Sequence, residues 1–160
     1  MGKKTTSSLF VFKVALKNAK GIWRRIAIGG DQTLDDLHEA IFDAFDREEE
    51  HLYSFYFPRP GARGRDRLDG AVEFTHPAAA KDAGFFSDDP VHNASEAKIS
   101  TLKLTKSTTI EYLFDFGDNW EHILTVEEID GDPDNKKYPR VLEKKGESPL
   151  QYPDLDDDDE

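Results

Sequence analysis

Residues 9–16, LFVFKVAL, are apolar at all but one position and rich in Phe and Val. That pattern predicts a strand near the middle of a sheet, covered on both faces. A polar turn at 17–21 leads to a second strand candidate at 22–28, IWRRIAI. There, alternation puts Ile22, Arg24, Ile26 and Ile28 on one side and Trp23, Arg25 and Ala27 on the other. The two segments read as a hairpin. Gly29, Gly30 and Asp31 then break the alternation. Thr33 is a good helix N-cap, with Asp35 and Asp36 placed in the first turn, where the helix dipole favours negative charge. Leu34, Leu37, Ile41 and Phe45 recur at helical spacing, so 34–46 is expected to be an amphipathic helix. Its opposite face bears Asp36, Glu39, Asp43 and Asp46, and the charge run Arg47 to Glu50 reads as its end.

Residues 51–57, HLYSFYF, alternate as a third strand. From 58 to 96 the periodicity fails. RPGARGRDRLDG is a Gly/Arg-rich loop, AVEF a short strand, and THPAAAKDAGFFSDDPVHN follows no period. A segment of this kind inside a compact domain suggests an insertion or a functional loop. Residues 95–104 suggest a short helix capped by Ser95. Order returns at 109–129, where TIEYLFDF and WEHILTVEEI flank Gly117-Asp118-Asn119, a combination suited to a tight turn. Ile110, Tyr112, Phe114 and Phe116 share one face of the first strand, and Trp120, His122, Leu124 and Val126 one face of the second. YPRVLE adds a short edge strand. Four to six strands with one firm helix predict an α+β fold, a mixed or antiparallel sheet with helices packed on one side.

Composition changes this picture at three points. A length of 160 residues fits one domain, expected to span 1–153. There is no cysteine, which excludes disulfides, thiolate metal sites and cysteine nucleophiles. Half of the net charge of −12 sits in Asp154 to Glu160, DLDDDDE, which is expected to be a disordered, solubilising tail. The remainder is still too acidic for a general nucleic-acid binder, although a local basic patch stays compatible with it. No apolar window reaches the length of a membrane span or of a secretory signal, so the expected location is the cytoplasm.

Three segments together resemble the plasmid pRiA4b ORF-3-like family: GIWRRIAI at 21–28, TLDDLHEAI running to HLYSF at 33–55, and YLFDFGDNWEHILTVEEI at 112–129. Their order and spacing extend the likeness over roughly residues 9–145. The resemblance implies an α+β fold and no established reaction. A transposon-associated label that the family sometimes carries raises DNA binding as one function class, which the acidic balance opposes. The final segment, YPRVLEKKGESPLQYPD, lacks the cysteine, paired proline and Gly-Gly with which many relatives continue, so nothing tied to that motif carries over.

Two kinds of chemistry are legible in the residues. Asp115, Asp118, Glu121 and His122 are metal-ligating types near a hairpin turn; with His38 from the first helix, Asp115, Asp118 and His122 would suit a divalent metal or a proton-transfer task. Alternation points His122 with Trp120 and away from Glu121. The competing reading gives Asp118 the turn amides, Trp120 the sheet end and His122 a hydrogen bond in an apolar layer. Of Arg24 and Arg25, one is expected to pair internally with an acidic side chain. Arg59, Arg63, Arg65 and Arg67 form the one local basic patch. Phosphate-loop, nucleophile-elbow and His-Glu-x-x-His patterns are missing. The favoured expectation is therefore a non-catalytic binding or adaptor domain for a protein or small ligand. Its contact surface is drawn through Trp23, Arg25, Arg63, Arg65 and Trp120. A metal-assisted hydrolase or nucleic-acid-processing enzyme is the alternative.

Overall fold

The computed structural model describes residues 8–17, 19–59, 61–83, 91–132 and 136–149. The described residues form eight strands: β1 (Leu9–Leu16), β2 (Trp23–Gly29), β3 (Tyr53–Phe57), β4 (Val72–Thr75), β5 (Val91–Asn93), β6 (Thr109–Phe114), β7 (Trp120–Gly131) and β8 (Arg140–Lys145). The helices are α1 (Leu34–Ala44) and α2 (Pro77–Ala83). The strands form one sheet in the order β5-β4-β3-β6-β7-β1-β2-β8, antiparallel throughout except for the parallel β4–β5 pair. The fold is thus α+β with a mixed sheet. Among the described residues no helix is long and apolar enough to cross a membrane.

Nearly continuous hydrophobicity in β1 reflects its place between β2 and β7, with all but Lys13 and Ala15 buried. One face of the sheet packs against α1. Phe12, Val14, Ile26, Ile28, Phe55, Ile110, Leu124 and Val126 meet Leu34, Leu37 and Ile41 of the helix in a single core. Thr33 and Asp36 close a reciprocal capping box at the helix start, satisfying two otherwise orphaned amides.

The other face stays half-exposed over the middle of the sheet. Lys13 and Ala15, Trp23 and Arg25, Glu111 and Leu113, and Glu121, Ile123, Thr125 and Glu127 alternate with the core positions of β1, β2, β6 and β7. Across β3 and β4 this alternation is hidden, because Ser54 and Thr75 are buried and bonded to each other at 2.8 Å.

Several expected elements shift. The helix ends at Ala44, since Asp46 adopts a left-handed φ of 55°. The aperiodic stretch contains α2, too short for a hydrophobic period to register. The helix expected at 95–104 is instead two 3₁₀ turns, Ala94–Glu96 and Ile99–Thr101, the first capped by Asn93 rather than Ser95. Phe116 lies beyond β6 and is exposed. The acidic segment 154–160 lies outside the described residues.

Candidate functional site

The chain leaves α1 through Phe45 and turns at Asp46, which carries Arg47 inward instead of out to solvent. Nη2 of Arg47 lies 2.8 Å from Nε2 of His122, on the core face of β7. A guanidinium can only donate, so Nε2 accepts and the imidazole proton sits on Nδ1, directed at the Tyr112 carbonyl oxygen 3.3 Å away. Complete burial, reinforced by the Arg47 charge, pushes His122 down to about 3, so it is neutral in the folded chain. Burial also lowers Arg47 to about 10, which leaves it charged at neutral pH.

His38, projecting from α1, lies flat on Tyr53 with ring centroids 3.9 Å apart. Its Nδ1 is 2.6 Å from the Tyr112 hydroxyl and its Nε2 is 3.0 Å from Oε1 of Glu50. Burial brings His38 down to about 4. The neutral ring therefore donates from Nε2 to the Glu50 carboxylate and accepts from the Tyr112 O–H. The Tyr53 hydroxyl donates to Asp35. Desolvation holds both phenols well above the usual tyrosine range and raises Glu50. The result is one connected path, Glu50–His38–Tyr112–His122–Arg47, that enters Tyr112 at its hydroxyl and leaves at its carbonyl.

The four residues proposed for a metal are not brought together. His38 and His122 occupy opposite ends of Tyr112, each with both ring nitrogens engaged. Asp115, at a positive φ of 66°, accepts from the Gly117 and Asp118 amides at 3.1 and 3.2 Å and approaches His51 at 3.4 Å. It is Asp115 rather than Asp118 that satisfies the turn, and Asp118 itself is exposed. Among the described residues no group of three or more His, Asp or Glu is placed to hold a metal ion.

Of the two arginines of β2, Arg25 makes the internal pairing with acidic side chains that was expected of one of them. Arg25 pairs with Glu127 at 2.7 Å and Glu143 at 2.9 Å, joining β7, β2 and β8 on the half-exposed face. Arg24 is buried and pairs with carbonyls instead of a carboxylate: Ala44 at 2.8 Å, Trp23 at 2.8 Å and Lys145 at 2.9 Å. Its charge thereby closes the negative end of α1, while the Ser148 hydroxyl donates to the next carbonyl, Phe45, at 2.6 Å.

The contact surface drawn from the sequence divides in two. Trp23 lies on the half-exposed face beneath Nζ of Lys13, 5.0 Å from the ring centroid. Trp120 sits in register with Phe114 on the core face, beside Arg47. Arg63 and Arg65 are exposed in the 58–70 loop, which Arg67 anchors to Glu111 on the half-exposed face. Trp23, Arg25, Arg63 and Arg65 thus belong to one side and Trp120 to the other.

Sequence reasoning missed Arg47 and Glu50, read only as a helix-ending charge run, and gave Tyr53 and Tyr112 no role beyond their places in strands. A usable signal was present. Tyr53, Tyr112 and His122 share strand parity with the core positions, and polar atoms buried there need partners.

Fold and site together define a mixed-sheet α+β domain with a hydrogen-bonded His–Tyr–Arg layer beneath its main helix. The chain belongs to the plasmid pRiA4b ORF-3-like family, whose pattern matches residues 8–152. It is 30% identical over 122 residues to the uncharacterised protein y4hQ of Sinorhizobium fredii. That match covers 76% of this chain and 54% of the relative, so the chain spans about half the length of that protein. The crystal structure of MM3350, a protein of unknown function from Methanosarcina mazei Go1, is similar with a TM-score of 0.72 at 26% identity. The similarity covers 93% of this chain and 76% of that one.

Proposed function

We propose that the chain is a non-catalytic binding domain that holds a protein partner on the half-exposed face of its sheet. The observation that carries this reading is the row of half-buried positions on β1, β2, β6 and β7, which no described helix covers. Trp23 supplies an aromatic anchor there, of the kind enriched at protein contacts. A groove of about 370 Å³ runs between the 58–70 loop and β6–β7, lined by Arg59, Arg67, Thr109, Glu111 and Ile123 among others.

Charge narrows the partner. Arg25, Lys17 and Arg67 are already paired with glutamates. Lys13, Arg63 and Arg65 make no ion pair among the described residues. These three cations border a face of an otherwise acidic protein, so an acidic partner segment complements it. The groups that suggested metal chemistry supply less, because His38, His122 and Asp115 are each engaged in contacts that hold the fold.

The test compares partner retention by the native chain and by a Lys13→Glu, Trp23→Ser variant of unchanged melting temperature. The reading expects a partner held by the first and released by the second. Equal retention rules out this face, and a stoichiometric metal in native mass spectrometry of unchelated protein would overturn the non-catalytic reading.

A further inference from the structure

The Arg47 layer contains two donors with nothing to donate to. Among buried side-chain atoms of the described residues, only Nη1 of Arg47 and Nε1 of Trp120 lack a hydrogen-bond partner. They are neighbours, with the Arg47 guanidinium carbon 5.2 Å from the Trp120 ring centroid. Orphaned buried donors are rare, and each costs stability when left unmet. Two together call for an acceptor.

The charge balance points the same way. Arg47 is 7% exposed, and its other neighbours are the Phe45 and Phe114 rings and the neutral His122. It forms no ion pair among the described residues. Buried charges are ordinarily paired, and three aromatic faces supply only part of what water or a carboxylate would give. By contrast Arg24, which is also buried, is met by three carbonyl oxygens.

We propose that Arg47 and Trp120 form a binding site for a carboxylate group, one oxygen meeting Arg47 Nη1 and the other Trp120 Nε1. Carboxylate is favoured over phosphate by the count of donors. One positive charge and two open N–H groups match a monoanion with two oxygens, whereas a phosphate would leave further oxygens unmet between aromatic rings. Trp120 is the movable wall. It is only half-buried and directly follows the turn at Asn119, whereas Arg47 is held by His122 and by the end of α1. Entry of the ligand therefore requires Trp120 to shift. This site lies on the opposite side of the sheet from Trp23, so it stands or falls independently of the partner face proposed above.

The experiment uses the full chain carrying Trp23→Phe, which leaves Trp120 as its only tryptophan. Emission and melting temperature are followed on titration with sodium acetate, against sodium chloride and sodium phosphate at matched ionic strength and pH 7. The proposal expects a saturable change in Trp120 emission and a melting temperature raised by a few degrees with acetate, and neither with chloride or phosphate. Adding Arg47→Met, which fills the aromatic cage without the charge, should abolish the acetate response while the protein stays folded. The proposal is overturned if acetate acts no differently from chloride, the result expected if ordered water alone fills the place. It is equally overturned if phosphate is preferred, or if the Arg47→Met protein responds as strongly.

Discussion

Arg47 donates to His122 at 2.8 Å across the interface between the end of α1 and strand β7, and among the described residues neither forms an ion pair with a carboxylate. A charged donor thus holds a neutral imidazole, and the imidazole in turn locks onto the backbone of β6 through Tyr112. Helix end and hairpin are joined by side chains that carry no net attraction between opposite charges.

The two obvious replacements of Arg47 should therefore separate. Arg47→Ala leaves Nε2 of His122 unmet and opens a void among three rings, and should cost about 2–4 kcal/mol. Arg47→Met also strands the imidazole but fills the space without burying a charge. Because apolar replacement of buried ions is often tolerated, it should lie within about 1 kcal/mol of the parent. Urea unfolding of the three proteins measures both. Equal losses would show that packing, and not the hydrogen bond or the charge, sets the cost.

Acid should unfold the chain through its histidines. Both imidazoles are neutral when folded, His38 lowered to about 4 and His122 to about 3, whereas unfolded histidine titrates near 6.5. As pH falls, the unfolded chain binds protons first. Stability is fully present above about 6.5 and is lost as pH falls through 4 toward 3. His38 alone accounts for roughly 3 kcal/mol of this loss. Glu39 and Glu50, raised by burial, oppose it in part. The urea midpoint measured from pH 8 to pH 3 should be level at the top and slope below 6.5. A His38→Leu variant should show a shallower slope between 6.5 and 4, and an unchanged slope would remove His38 from the account.

Arg24 makes a separate prediction, because its charge is spent on carbonyls. Arg24→Leu leaves the Ala44 and Lys145 oxygens unmet and should cost about 2–4 kcal/mol. The loss should be local as well as global, with faster amide exchange in the last turn of α1 and in β8. Arg24→Lys keeps the charge at the helix end but not the fork of donors, and should recover only part of the stability. Exchange that quickens evenly through the sheet would contradict the assignment of Arg24 to that corner.

Much of this architecture is legible before any coordinates. The β1–β2 hairpin, the Thr33 cap, the core stripe Leu34, Leu37 and Ile41, and the β6–β7 hairpin all follow from period and turn chemistry, which are local properties. The site is legible only in part, because it depends on what a polar residue meets after the chain folds back. Arg47 heads an acidic run and looks solvated until the left-handed turn at Asp46 sends it inward. Trp23 and Trp120 each have a strand parity that alternation gives, yet that their faces lie on opposite sides of the sheet follows only from the register linking β2, β1 and β7. Asp115 and Asp118 are likewise told apart by the backbone of the turn and not by their type.

Gly146 and Gly21 allow a test in which backbone strain and steric contact are separated at one corner of the sheet. Both have positive φ, 79° and 83°, so an alanine at either is strained to a similar degree. A Cβ on Gly21 would meet nothing within 4 Å. One on Gly146 would lie 2.9 Å from the Gly21 carbonyl oxygen and 2.9 Å from Cγ1 of Ile22. The end of β8 therefore approaches the β1–β2 turn too closely to admit a side chain. Gly21→Ala should cost about 1 kcal/mol, the conformational term alone. Gly146→Ala should cost that and about 1–3 kcal/mol more, as the β8 end is pushed from the carbonyl it rests on. Urea unfolding of the two variants measures the difference. Equal costs would mean that β8 yields freely at this end and that its pairing with β2 does not depend on the close approach.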